Sequence, residues 1–239
     1  MTGGFPGSGN GASSFHLWWE PPPPPADEVS VTLIIEALPR HLNLVFWALQ
    51  VSFADDLGRT VGGAHLGLQW NPRHPSNRAV NWGGYDRGGN ILDGSVSPLV
   101  SMPDDPNTRD FAWIEGRPYR LVVGRGSAPG RWLGLVIDTV TGDRYPVREL
   151  IVPATGLIAP VVWTECFARC DDDSVAARWS GPVVAAGGGE RVPRAYRVSY
   201  QSPDAGGCSN TDVDRGPDGV RQVTSVARET PDGALIPVV

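Results

Sequence analysis

The chain has 239 residues, is 41% hydrophobic with nine tryptophans, and carries a formal charge of −6; all twenty of its basic residues are arginine. An acidic chain without a concentrated basic face lacks the footprint of a nucleic-acid binder, and the absence of lysine removes Schiff-base chemistry and the P-loop lysine. No run approaches the roughly 18 apolar residues needed to span a bilayer, so no membrane segment is expected.

Residues 1–13 are rich in Gly and Ser and read as a flexible tail. They have neither a basic leader nor an apolar stretch, so no secretory signal is seen and a cytoplasmic location is expected. Phe15, His16, Leu17, Trp18 and Trp19 are too apolar for a tail and predict a first strand, turned by the stiff proline run at residues 21–25. From Asp27 onward the apolar pattern has period two with frequent turns, which predicts strands at residues 29–36, 44–53, 63–70, 79–85, 111–115, 119–124, 132–141, 161–168, 175–179, 195–201 and 220–227. No fixed-period repeat is present. All-β chains of this length commonly form one unit. Residues 14–239 therefore read as a single-core, all-β antiparallel sandwich, with a strand-loop extension from about residue 190.

Alternation sorts the faces of three strands. Val45, Trp47, Leu49, Val51 and Phe53 form a core series, opposed by Phe46, Ala48, Gln50 and Ser52. Ala64, Leu66, Leu68 and Trp70 point inward, leaving His65, Gly67 and Gln69 outside. Val162, Thr164, Cys166 and Ala168 point inward, leaving Trp163, Glu165, Phe167 and Arg169 outside. Large aromatics on an outer face require a cover or a ligand. The cover reading lays a loop or the amino-terminal segment over Trp163. The ligand reading makes a concave groove in which Trp163 stacks a planar group while Gln50, His65, Gln69 and Glu165 supply hydrogen bonds.

Residues 43–53 and 62–70, the segment RPYRLVV at 117–123, and the hairpin RWLGLVID at 131–138 with its Thr141–Gly142 turn together resemble the concanavalin-like jelly roll of lectins and glucanases. The resemblance covers residues 15–201 and implies that fold. It implies no activity, since the Glu-x-Asp-x-x-Glu strand of the glucanases is absent.

Candidate chemistry centres on Glu165. A glycosidase needs two carboxyls, with Asp86, Asp138 or Glu115 as the available partners. The structural alternative pairs Glu165 with an arginine such as Arg120. The histidines His16, His41, His65 and His74 show no zinc spacing, and no metal site is expected. His65 alone of them faces the groove, as acid or base or as a hydrogen-bonded spectator. Asp171, Asp172 and Asp173, and the Asp212–Asp218 segment, are acidic enough for calcium but match no EF-hand loop, so no cofactor is expected. Cys166, Cys170 and Cys208 allow one disulfide, Cys170 with Cys208 being considered. The cytoplasmic reading favours the reduced state. The expectation is a lectin-like, non-catalytic domain for a carbohydrate ligand. The alternatives are a polysaccharide hydrolase or lyase using Glu165 as acid or base, and a structural or partner-binding domain.

Overall fold

In the computed structural model, which describes residues 2–100, 102 and 104–238, the alternating segments pair into two antiparallel sheets packed face to face. In chain order the strands are β1 (Ser13–Glu20), β2 (Glu28–Ala37), β3 (Val45–Ala54), β4 (Thr60–Trp70), β5 (Arg78–Asp86), β6 (Thr108–Asp110), β7 (Pro118–Arg125), β8 (Arg131–Asp138), β9 (Arg144–Ile151), β10 (Gly156–Cys166), β11 (Ala176–Ala186), β12 (Gly189–Arg191), β13 (Ala195–Tyr200), β14 (Thr211–Gly216), β15 (Gly219–Thr224) and β16 (Leu235–Pro237). One sheet runs β16-β13-β1-β10-β3-β4-β5-β6. The other runs β14-β15-β11-β2-β7-β8-β9, with β12 on β11. The chain is an all-β sandwich.

The core lies between the sheets and is filled by the inward series of each strand. Trp47, Leu49, Val51 and Phe53 of β3, Leu66 and Leu68 of β4, and Val162 of β10 are fully buried, as alternation predicts. Facing them from the second sheet are Leu33, Leu121, Val136 and Trp179. One polar node ties the layers together. Gln222 of β15, fully buried, accepts from Thr164 Oγ1 of β10 at 2.9 Å and from Trp179 Nε1 at 2.8 Å, and donates to the Phe15 carbonyl of β1 at 2.7 Å. A buried amide left without partners would be costly, so this node fixes how β1 and β10 sit over the second sheet.

Several sequence expectations are corrected. Residues 111–115 are not a strand. Trp113 alternates with Phe111 as a strand would, but it plugs the end of the core, fully buried, with Nε1 donating to the Gln69 carbonyl at 3.1 Å. The short β6 precedes it. The edge strand β9 was not anticipated, because Pro146 interrupts its pattern. The proline is accommodated where the β8–β9 register slips between Gly134 and Leu135. The strand β14 was also missed, since its acidic residues read as a loop. Cys170 and Cys208 are not reduced: they form a disulfide with Cα atoms 5.5 Å apart, and Cys166 stays free and buried.

The residues read as a tail make specific bonds. Gly7 N donates to the Gly206 carbonyl, Cys170 N to the Gly4 carbonyl and Gly4 N to Asp171 Oδ1. Residues 1 and 239, the outer ends of the expected tail and domain, lie outside the described residues. Asp171 also pairs with Arg169 at 3.1 Å. Among the described residues no group of three or more His, Cys, Asp or Glu is placed to hold a metal ion, and no helix is long and apolar enough to cross a membrane.

Candidate functional site

Strand register decides which outward side chains become neighbours. On the outer face of the first sheet, pairing of β1, β10, β3, β4 and β5 draws three rows across the strands. The first is Ser14, Glu165, Phe46 and Gln69. The second is His16, Trp163, Ala48, Gly67 and Asn81. The third is Trp18, Val161, Gln50, His65 and Gly83. Of the five candidate residues Trp163 and Glu165 stand on β10, Gln50 on β3, and His65 and Gln69 on the adjoining β4. The predicted outer face is therefore one continuous surface.

That surface is hollowed into two basins. The larger, about 650 Å³, is lined by Glu165, Gln50, Trp163, His16 and His65; the smaller, about 400 Å³, by Gln69, Asn71, Asn81, Asp105 and Asn107. Phe46, His65 and Tyr85 border both. Glycine makes much of the depth. Gly63, Gly67 and Gly83 stand at outward positions of β4 and β5. A Cβ at Gly67 would lie 2.1 Å from the Trp47 carbonyl oxygen and 2.7 Å from Cε2 of Phe46, and one at Gly83 would lie 2.4 Å from Cγ of Asn107.

Trp163 faces this side, but it is not an open platform. It is 6% exposed, with Phe46 edge-on at 4.9 Å, His65 at 5.7 Å and His16 at 6.4 Å. With Phe46, Ala48 and Val161 it forms a second small apolar cluster outside the main core. Its Nε1 donates to Gln50 Oε1 at 3.1 Å, leaving the Gln50 amino group for the basin. The exposed aromatic is Tyr85, 52% accessible, between the two basins.

Glu165 is half-buried, and Asn10 Nδ2 donates to its Oε1 at 2.9 Å. Burial pushes its carboxyl above the usual range, and the Asn10 bond pulls it partly back. Arg120, the arginine considered as its partner, lies on the other sheet, bonded to Ser30 Oγ at 2.8 Å and the Gly181 carbonyl at 3.0 Å. The carboxyls considered alongside Glu165 are engaged elsewhere. Asp86 borders the larger basin but closes its own turn, accepting from Gly88 N and Asn90 N at 2.8 Å each. Asp138, on β8, is bound by Arg117 at 2.8 Å, and Glu115 accepts from Leu38 N. Burial lowers both His16 and His65 to about 4, so both rings are neutral at pH 7.

Alternation alone placed Gln50, His65, Trp163, Glu165 and Gln69 outward. It also set Phe46 on the same side as Gln50. His16 and Tyr85 follow the same rule on β1 and β5. Asn10 has no sequence signal, because it reaches Glu165 from a Gly-rich segment 155 residues away.

No family model and no curated protein matches the chain. Among solved structures the chain is similar to Scytalido-glutamic peptidase bound to a peptide-based transition-state analog, with a TM-score of 0.46 and 9% identity over 93% of this chain and 99% of that one. It is similar to SCP-B, a member of the Eqolisin family of peptidases in complex with the tripeptide Ala-Ile-His, with a TM-score of 0.45 and 9% identity over 93% and 99% of the two chains. It is also similar to the enzymatically active domain of bacteriophage CBA120 tailspike protein 2, with a TM-score of 0.35 and 18% identity over 80% of this chain and 24% of that one.

Proposed function

We propose that the chain is a hydrolase that binds an extended polymer across the outer face of its first sheet, with Glu165 as the group that trades the proton. The observation that carries this reading is the state of Glu165. It faces the larger basin, its range is raised by burial, and its bonded partner is the neutral Asn10 rather than an arginine. A carboxyl poised in this way and open to a cleft is what proton transfer near neutral or mildly acidic pH requires.

The arrangement favours an amide bond over a glycosidic one. Glycoside cleavage by the usual route needs a second free carboxyl, and Asp86, the other acid at the larger basin, is held by its own turn. Amide hydrolysis can proceed with one. The Glu165 carboxylate takes a proton from a water molecule, the hydroxide adds to the carbonyl carbon, and the protonated Glu165 gives that proton to the leaving nitrogen. One water is consumed and the carboxylate is restored. The free amino group of Gln50 and the neutral His65 border the same basin as uncharged hydrogen-bonding groups. The Cys170–Cys208 disulfide supports an oxidising compartment.

Incubating the protein with a denatured carrier protein and a random peptide pool between pH 3 and 8, with cleavage read by mass spectrometry, tests the reading. Cleavage by the parent and none by Glu165→Gln is expected. Equal cleavage by both, or none by either, overturns it. A second reading, carbohydrate binding without catalysis, is favoured by Tyr85, whose exposed ring between the basins offers a sugar a stacking surface.

A further inference from the structure

We propose that the smaller basin is a specificity subsite for a carboxamide side chain, that of Gln or Asn, on a peptide lying in the groove. This rests on the peptide-hydrolase reading above and assigns the part of the face that reading leaves unused.

The argument starts from two amide side chains whose orientation is forced. A side-chain amide can be turned over without changing its shape, so its donor end must be fixed by an unambiguous neighbour. The Arg73 backbone N–H, which can only donate, bonds Asn71 Oδ1 at 3.1 Å. The other end of Asn71 is therefore Nδ2, which donates at 2.9 Å to Gln69 and makes the Gln69 atom there Oε1. What remains of Gln69 is its Nε2, a double donor bonded to no protein atom among the described residues. Gln69 is 5% exposed and lines the basin. Asn107 is locked in the same way. Arg148 Nη2, also a pure donor, holds Asn107 Oδ1 at 2.7 Å and leaves Asn107 Nδ2 without a bonded protein atom among the described residues.

Two fixed donors on one basin call for an acceptor, and the basin also holds acceptors that call for a donor. Asp105 borders it, its Oδ1 accepting from the backbone N–H groups of Asn107 and Thr108 at 3.1 Å each. Arg73 at the rim is neutralised by Asp104 at 2.6 Å. Arg109 and Arg148 stand close enough to offset the Asp105 charge, so what a carboxylate lacks is a donor: it would turn a bare acceptor toward Asp105 and toward Asn81 Oδ1, which is buried and without a partner among the described residues. A carboxamide instead places its oxygen on Gln69 and Asn107 and its N–H groups toward Asp105. A site built from such groups discriminates strongly against a ligand that leaves them unpaired. Glu165 and Gln69 stand two strands apart in one row, about 10 Å at the usual strand spacing. An extended peptide advances about 3.3 Å per residue, so the selected side chain lies two or three residues from the bond over Glu165.

The test separates this subsite from the hydrolase reading by using binding alone. Glu165→Gln protein is titrated by calorimetry with three hexapeptide pools identical except that one position, stepped along the peptide, is Gln, Glu or Leu. A preference of at least tenfold for Gln over both Glu and Leu is expected at one position. It should fall below threefold in Gln69→Met and in Gln69→Glu, each combined with Glu165→Gln and each checked for an unchanged melting temperature. Because Gln69→Glu keeps the shape and the Asn71 bond, it serves if the methionine variant does not fold. No preference at any position, a preference that survives both substitutions, or binding of chitin oligomers with no peptide bound overturns the proposal. Peptide selection by the binding protein without cleavage by the parent supports the subsite while the hydrolase reading fails.

Discussion

Asn10 and Glu165 are joined by a 2.9 Å hydrogen bond that brings the amino-terminal segment to the lining of the larger basin. The bond stabilises the carboxylate against the burial that disfavours it. Asn10→Ala should therefore raise the Glu165 pKa further and move the acidic limb of the pH–rate profile to higher pH. An unchanged limb in the variant would show that the bond does not form in solution.

Glu165→Gln should lower turnover by about 10²-fold or more, as expected for loss of a proton-transfer group, and should also alter stability in a pH-dependent way. Because the folded pKa lies above the unfolded one, the cost of ionising Glu165 is absent below about pH 4.5, grows as pH rises through the raised pKa, and persists above it. The variant should match the parent near pH 4 and be the more stable protein at pH 7. Melting temperatures at the two pH values check both halves.

The two basin histidines act in the opposite direction. His16 and His65 have folded values of about 4 against an ordinary value of 6.5. The unfolded chain thus takes up protons that the folded chain does not, and stability should fall as pH drops from about 6.5 to about 4 and then level off. His65→Gln should flatten part of that slope, as measured by urea unfolding across the same range.

Trp163→Ala should cost about 3 to 5 kcal/mol, the range for a large buried aromatic, since its ring is closed in by Phe46, His65 and His16. Tyr85→Ala should change stability by no more than about 0.5 kcal/mol and weaken ligand binding by tenfold or more, about 1.4 kcal/mol. Thermal unfolding and a binding titration on both variants separate the roles.

Reduction of the Cys170–Cys208 disulfide, which spans a sequence separation of 38, should remove about 3 to 4 kcal/mol by the chain-entropy estimate. Cys166, buried and pushed up to about 11, should resist alkylation at pH 7 in the native protein. Unfolding with and without reductant, and mass spectrometry after iodoacetamide treatment, give the two readouts.

The faces of β3, β4 and the part of β10 after its irregularity at Ile158–Val161 were legible because period-two alternation there is unbroken, so Trp47, Leu66 and Val162 could go only one way. What alternation does not contain is pairing. Phe46 meets Gln69 across two strands that follow one another in the chain, but the step that sets Glu165 beside Phe46 joins positions more than a hundred residues apart, and nothing local specifies it. For the same reason Trp163 could be placed on the outer face while the rings that close over it could not be named. Pro146 hid β9, since proline normally argues against a strand. The alternation of Phe111 and Trp113 mimicked a strand where the chain folds inward as a plug. Asn10 was invisible because a Gly-rich segment carries no periodicity from which a direction could be read.

Gly63, Gly67 and Gly83 shape the groove through the atoms they lack. A conventional alanine scan, which only trims side chains, would pass over all three positions. The informative experiment on this face runs in reverse, adding one methyl group at a time. At Gly67 that methyl would sit 2.1 Å from the Trp47 carbonyl oxygen of β3 as well as 2.7 Å from the Phe46 ring, so a single added carbon in the middle of β4 would force the two strands themselves to shift and would disturb both basins together.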